Sequence, residues 1–202
     1  MVTTAGFFAV LVAVIASIAF FAEKEAQRTV APGVIWVAVA FSTVLALSRT
    51  WQREREDNAL LGLLVTPLSR SAIFAGKALG VAAFITVVQL IVMGAATIMF
   101  GLDVSVVGGK VALLALASTP GIAASGTLFG SMTIRTRARD LVLASVLLPL
   151  VSPSILTGVA GTRAAIGGAA LGNLTDYFLL DLLFAAVFVA GGLGLFETLI
   201  EG

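Results

Sequence analysis

The chain has neither cysteine nor histidine among its 202 residues. Without cysteine there is no disulfide framework and no thiol redox chemistry, and without histidine no Ser–His–Asp set can be assembled. Metal-dependent catalysis has little to work with for the same reason. Charge is scarce as well: 11% of residues are charged, against about 25% in a soluble domain. A net charge of +1 argues against nucleic acid as a partner. The Walker A pattern GxxxxGK[ST] occurs nowhere, so any ATP that drives this protein is expected on another chain.

What remains is apolar. Hydrophobic residues make up 59% of the chain and the mean hydropathy is +1.12. Runs almost free of charge over about 5–22, 30–48, 78–101, 111–133, 141–161 and 177–197 each approach or exceed the ~20 helical residues that cross ~30 Å of hydrocarbon. We read six transmembrane helices in a single all-α membrane domain, 1–202. A closed barrel is excluded because no ~10-residue units alternate polar and apolar. The first run has no basic segment before it and only a loose cleavage-like site in "SIAFFAEKEA", so it is read as a retained span rather than a secretion signal.

Six spans place both termini on one side. That side also receives Arg49, Arg53, Arg55, Arg70, Lys77, Arg135, Arg137 and Arg139, and the other receives Lys24, Arg28, Lys110 and Arg163. Bases in short loops collect in the cytoplasm. The termini and the stretch "RTWQREREDNALLGLLVTPLSRSAIFAGK" at 49–77 are therefore expected to face inward.

Within that stretch a mixed-sign block, Arg53, Glu54, Arg55, Glu56 and Asp57, precedes the apolar Leu60, Leu61 and Leu64. Asn58 is a fitting N-cap for a short helix that Pro67 would end about two turns later. Such a helix cannot span; it can lie on the membrane surface or project into a partner's groove. Two readings follow: a solvated loop with an interfacial helix, or a coupling helix that docks on a cytoplasmic motor.

Inside the spans, Pro120, Pro149 and Pro153 each remove a backbone donor, so helices four and five are expected to bend or break there and to form a flexible or cavity-lining pair. Gly121–Ser125 and Gly126–Gly130, at four-residue spacing, permit close helix contact. Asp181 is the one charge clearly within a span. It is either a shallow carboxylate near the outer surface or a functional contact within the bundle. "AAIGGAALGN", 164–173, is too short to span and too apolar for a free loop, and is read as an interfacial or re-entrant segment.

The block "APGVIWVAVAFSTVLALSRTWQREREDNALLGLLVTPLSRSAIFAGK" resembles the signature of the CcmB family, the haem exporter protein B of cytochrome c maturation. "RTRARDLVLASVLLPLVSPSILTG" and "DLLFAAVFVAGGLGLFETLIEG" are similar to the family's later segments, so the resemblance covers essentially the whole chain. It implies an ABC-2-like permease subunit, not itself an enzyme, in the bacterial inner membrane. The implied partners are a separate ATP-binding cytoplasmic subunit, other haem-handling membrane subunits, and a second copy or a second permease. Haem enters as cargo of the complex rather than a bound cofactor, either exported or carried by a chaperone that ATP use releases. Arg53–Asn58 with Leu60–Pro67 match the loop between spans two and three that meets the ATPase in such permeases.

With histidine and cysteine absent, only Met93, Met99, Met132 and Tyr177 remain as conceivable haem ligands besides Met1. Methionine in an apolar helix is ordinarily packing, so iron ligation is assigned to another subunit. Relatives usually carry a basic amphipathic stretch before the first span; this chain opens with "MVTTAGFF", and a truncated start is expected. The rival readings are a permease of this architecture for a lipid, glycan or drug, and a membrane scaffold that transports nothing.

Overall fold

The computed structural model describes residues 2–20, 24–56, 62, 66–133 and 139–201. These form α1 (Val2–Ala19), α2 (Lys24–Glu56), α3 (Arg70–Phe100), α4 (Gly109–Thr133), α5 (Arg139–Ile166) and α6 (Thr175–Glu201). A π-helical turn, Val104–Gly108, leads into α4, and a 3₁₀ turn, Leu171–Leu174, leads into α6. No strand occurs among the described residues. Among the described residues, five helices are long and apolar enough to cross a membrane, and α1 is a shorter apolar helix. The chain is a multi-pass membrane protein.

Local chemistry sets the element ends. Ser69 caps α3, its hydroxyl accepting from the Ala72 amide at 3.3 Å, which satisfies one of the orphan donors of a first turn. Gly101, at φ +60°, closes the same helix in the left-handed conformation and donates its amide to Thr97. Asp103 caps the π turn by accepting from the Ser105 amide. Gly168, at φ +88°, reverses the chain after α5. Lys110 then donates to the Ala169 carbonyl at 2.6 Å, tying the α5–α6 turn to the start of α4.

The helices alternate in direction, and their ends sort into two groups. At one end, Ser17 donates to the Met99 carbonyl and Gln27 to the Ser17 carbonyl, joining the end of α1 to the end of α3 and the start of α2. The Lys110–Ala169 contact lies on that end too. At the opposite end, Phe74 near the start of α3 packs on Phe196 near the end of α6, with ring centroids 5.4 Å apart. Helix α4 contacts α2, α3, α5 and α6, whereas α1 packs on α2 and α3. In hydrocarbon, apolar burial supplies little drive, so close packing and internal hydrogen bonds must hold such a bundle.

That packing is glycine-dependent. A Cβ on Gly158 would lie 2.3 Å from the Trp36 ring, one on Gly126 2.5 Å from Leu47, and one on Gly121 2.4 Å from Phe184. The paired small residues of α4 thus serve two neighbours, Gly121 meeting α6 and Gly126 meeting α2.

Two expectations change. The polar stretch 49–77 is not chiefly loop: α2 runs on through Glu56 and α3 begins at Arg70, eight residues before the expected span. Charges end a hydrophobic run without ending a helix. Nor do Pro120, Pro149 and Pro153 interrupt their helices, which run through all three. Pro153 leaves the Pro149 carbonyl without its amide partner, and the Ser152 hydroxyl donates to that oxygen at 2.7 Å. The segment 164–173 proves to be the last turn of α5, a glycine reversal and the 3₁₀ turn, with Ala165 and Leu174 fully buried.

Candidate functional site

Two regions are candidate sites: the charged end of α2 and a polar seam where α5 meets α2 and α6. Helix α2 has 33 residues, which at ~1.5 Å per residue is about 50 Å, well beyond ~30 Å of hydrocarbon. Arg53, Glu54, Arg55 and Glu56 form its last turn, so these four residues of the mixed-sign block stand on a helix continuous with its buried part. Asp57, Asn58, Leu60, Leu61 and Leu64, and with them the short helix expected from Asn58, lie outside the described residues. Pro67 is exposed in the bend ahead of the Ser69 cap.

The seam is built from a stripe on α5. Ser154, Gly158 and Thr162 recur every four residues, so they share one helix face, and all three are buried. The Trp36 indole of α2 sits in the notch at Gly158, and its Nε1 donates to Thr162 Oγ1 at 2.9 Å. Ser154 Oγ donates to Asp181 Oδ1 of α6 at 2.6 Å.

Asp181 is fully buried, and its Oδ2 has no hydrogen-bond partner among the described residues. It lies six residues into α6, roughly 9 Å along the axis, on the face that also carries Leu174 and Ala185. Asp176, five residues earlier, is exposed, and Tyr177 is half-buried against Gly161. The two aspartates therefore occupy different environments. Pro149 and Pro153 are exposed, on the opposite side of α5 from the stripe, and Pro120 of α4 is exposed too.

A second polar contact lies between α3 and α4. Gln89, 2% exposed, donates to the Ala115 carbonyl at 3.3 Å, and its Oε1 lies 3.0 Å from Thr119 Oγ1. At the end of the bundle that holds Lys110, a polar cleft of ≈ 300 Å³ opens between Gln27, Arg28 and residues 98–101. Nearby, the Ser105 hydroxyl and amide hold the exposed Asp103 carboxyl below its usual range. No three His, Cys, Asp or Glu side chains gather to hold a metal among the described residues. Met93 lines a small apolar groove with Ile35 and Val111, Met99 packs against the α1–α2–α3 core, and Met132 is exposed.

Sequence reasoning singled out Asp181 but missed Ser154, Trp36 and Thr162. The four-residue repeat of small and polar residues on α5 was the available signal, masked by the proline pair beside it.

The sequence matches the family described as CcmB protein over residues 1–193. It is 30% identical over 142 residues to heme exporter protein B of Bradyrhizobium diazoefficiens, covering 68% of this chain and 61% of that relative. Against heme exporter protein B of Pseudomonas aeruginosa it is 25% identical over 163 residues, covering 80% of this chain and 72% of the relative. The Paracoccus denitrificans protein of the same name is 28% identical over 150 residues, 73% of this chain and 67% of that one. The chain thus spans about three fifths of the Bradyrhizobium relative's length.

Proposed function

The chain belongs to the CcmB protein family, and on that premise we propose that it is the membrane permease subunit of an ABC-type complex in cytochrome c maturation. A separate cytoplasmic subunit hydrolyses ATP. The motion it drives serves haem export or the release of a haem-loaded chaperone, and other haem-handling membrane subunits complete the assembly. The observation that carries this reading is the family match along residues 1–193.

The geometry fits a driven subunit. Residues 53–67 are the contact for the ATPase, and α2 delivers the motion because its charged end continues as one helix into the bundle. We read α1 as a sixth crossing. It runs beside α2 and α3 for nearly its whole length, with Ser42 donating to the Ala5 carbonyl near one end and Ser17 to Met99 near the other. We read the end that holds 49–56, 70 and 77 as cytoplasmic, with both termini, because eight of the twelve bases fall in the connections that six crossings assign to that side. A two-fold pair of ATPases would face two permeases, either two copies of this chain or this chain and another.

Deleting the gene and restoring it from a plasmid tests the assignment. Loss of c-type cytochromes, recovered with the plasmid, is expected; normal cytochromes in the deletion strain refute the role in maturation. Purification in mild detergent should retain an ATPase, and none retained would favour a scaffold. A single cysteine at position 55 should react with an impermeant thiol reagent only from the cytoplasmic face. The absence of native cysteine makes that result unambiguous.

A further inference from the structure

Helix α5 is gripped by two neighbours on one stripe, and the grips differ in kind. The α2 grip is well formed: Trp36 fills the notch at Gly158 and its N–H is satisfied by Thr162. The α6 grip is half formed: Ser154 satisfies one oxygen of a fully buried carboxylate, and the other has no partner among the described residues. A buried polar atom without a partner is costly, so an arrangement that gives Oδ2 a second donor or water competes well with the closed one.

The two grips sit on the same side of a weak point. Pro149 and Pro153 precede Ser154, and each removes one backbone hydrogen bond from α5. The Ser152 hydroxyl substitutes for the amide missing above Pro149, and a side-chain bond of that kind re-forms at more than one helix bend. Both proline rings face outward, while Leu147 and Val151 on the inner face pack with Val44, Leu47 and Ile122 and hold the near side of the bend. The segment from Ser154 to Ile166 can therefore pivot while residues before Pro149 stay in place.

We propose that the Ser154–Ile166 half of α5 is the moving element of this subunit, with Trp36 as the handle through which α2 moves it and Ser154–Asp181 as the latch it leaves. This rests on the reading that the charged end of α2 receives motion from an ATPase. The rod of α2 joins that end to Trp36 without a break. Displacement of α2 is thus delivered to α5 beyond its proline hinge, and Asp181 exchanges its contact with Ser154 for water or another donor.

The test uses the purified complex with its ATPase and the cysteine-free background. Spin labels go on Leu156→Cys and Leu183→Cys, both exposed on α5 and α6. The distance between them is measured by pulsed electron resonance with and without a trapped nucleotide. The parent should show a nucleotide-dependent shift. In Trp36→Phe combined with Thr162→Val the ATPase should still co-purify while the shift is lost. Ser154→Ala should move the nucleotide-free distance toward the nucleotide-bound value, which a merely structural contact would not do. Retention of the shift in the Trp36/Thr162 variant, or an inter-label distance insensitive to nucleotide while ATPase stays bound, overturns the proposal alone. Failure of the parent chain to bind any ATPase overturns the functional reading, and the handle with it. If the double variant does not fold, Thr162→Val alone carries the same comparison.

Discussion

Trp36 Nε1 donates to Thr162 Oγ1 at 2.9 Å across 126 residues of sequence, and this is the one buried hydrogen bond between side chains of α2 and α5 among the described residues. Removing the acceptor strands a buried indole N–H. Thr162→Val, nearly isosteric, should cost about 1–3 kcal/mol. Thr162→Ser keeps the hydroxyl and should cost much less. Thermal unfolding in detergent, followed by circular dichroism, reads the difference, and equal melting of the two variants would show that the bond does not form.

The glycine notches make a sharper contrast. A Cβ on Gly192 would sit 1.9 Å from the Phe74 ring, whereas one on Gly80 or Gly194 would meet nothing within 4 Å. Gly192→Ala should therefore destabilise by roughly 1–3 kcal/mol through overpacking. Gly80→Ala and Gly194→Ala should be neutral, or stabilising by up to about 1 kcal/mol through reduced chain entropy. Gly192→Ala melting with the parent would mean that α3 and α6 are not packed as described.

Asp181 should separate stability from function. Asp181→Leu replaces a half-satisfied buried carboxylate by an apolar group of similar size, a change that is often neutral or stabilising. The freed Ser154 hydroxyl can bond to its own helix backbone, as Ser118 and Ser125 do. Melting at or above the parent temperature, with c-type cytochrome production sharply reduced, is the expected pair of results. Full production by this variant would mean that Asp181 has no part in the activity.

If residues 53–67 are the ATPase contact, neutralising Glu54, Glu56 and Asp57 together as Gln, Gln and Asn should weaken ATPase retention while membrane insertion is unchanged. Unaltered retention and unaltered stimulation of hydrolysis in the reconstituted complex would remove the contact from residues 53–67.

Acid should weaken the turn that Asp103 caps. Asp103 is held below its usual range by the Ser105 hydroxyl and amide, so its ionised form favours the folded turn. That contribution is present above the carboxylate's unfolded value and fades as pH falls through the lowered folded one. Ser105→Ala should move the Asp103 titration back upward, as read from its side-chain carbon resonance; an unmoved titration would rule out the Ser105 hydroxyl as the cause.

Much was legible in the chain because a bilayer permits so few backbone solutions. Uncharged runs of this length must be helices, since only internal hydrogen bonding satisfies the backbone in hydrocarbon. The helix centres accordingly fall where hydropathy puts them. Hydropathy reads where a chain leaves lipid rather than where its helix stops, which is why Arg49–Glu56 and Arg70–Lys77 turned out to extend α2 and α3. The charge asymmetry and the lack of histidine and cysteine are likewise properties of composition.

Only the tertiary structure decided which helix meets which, and therefore what the polar groups do. Asp181 is conspicuous in the sequence, but its partner, 27 residues away on another helix, is not. Gly158, Gly192 and Gly80 look alike as letters, yet the first two receive aromatic rings and the third faces open space. Such pairings depend on the rotation and offset of whole helices, which arise from the sum of many weak contacts and leave no local mark in the residues they join.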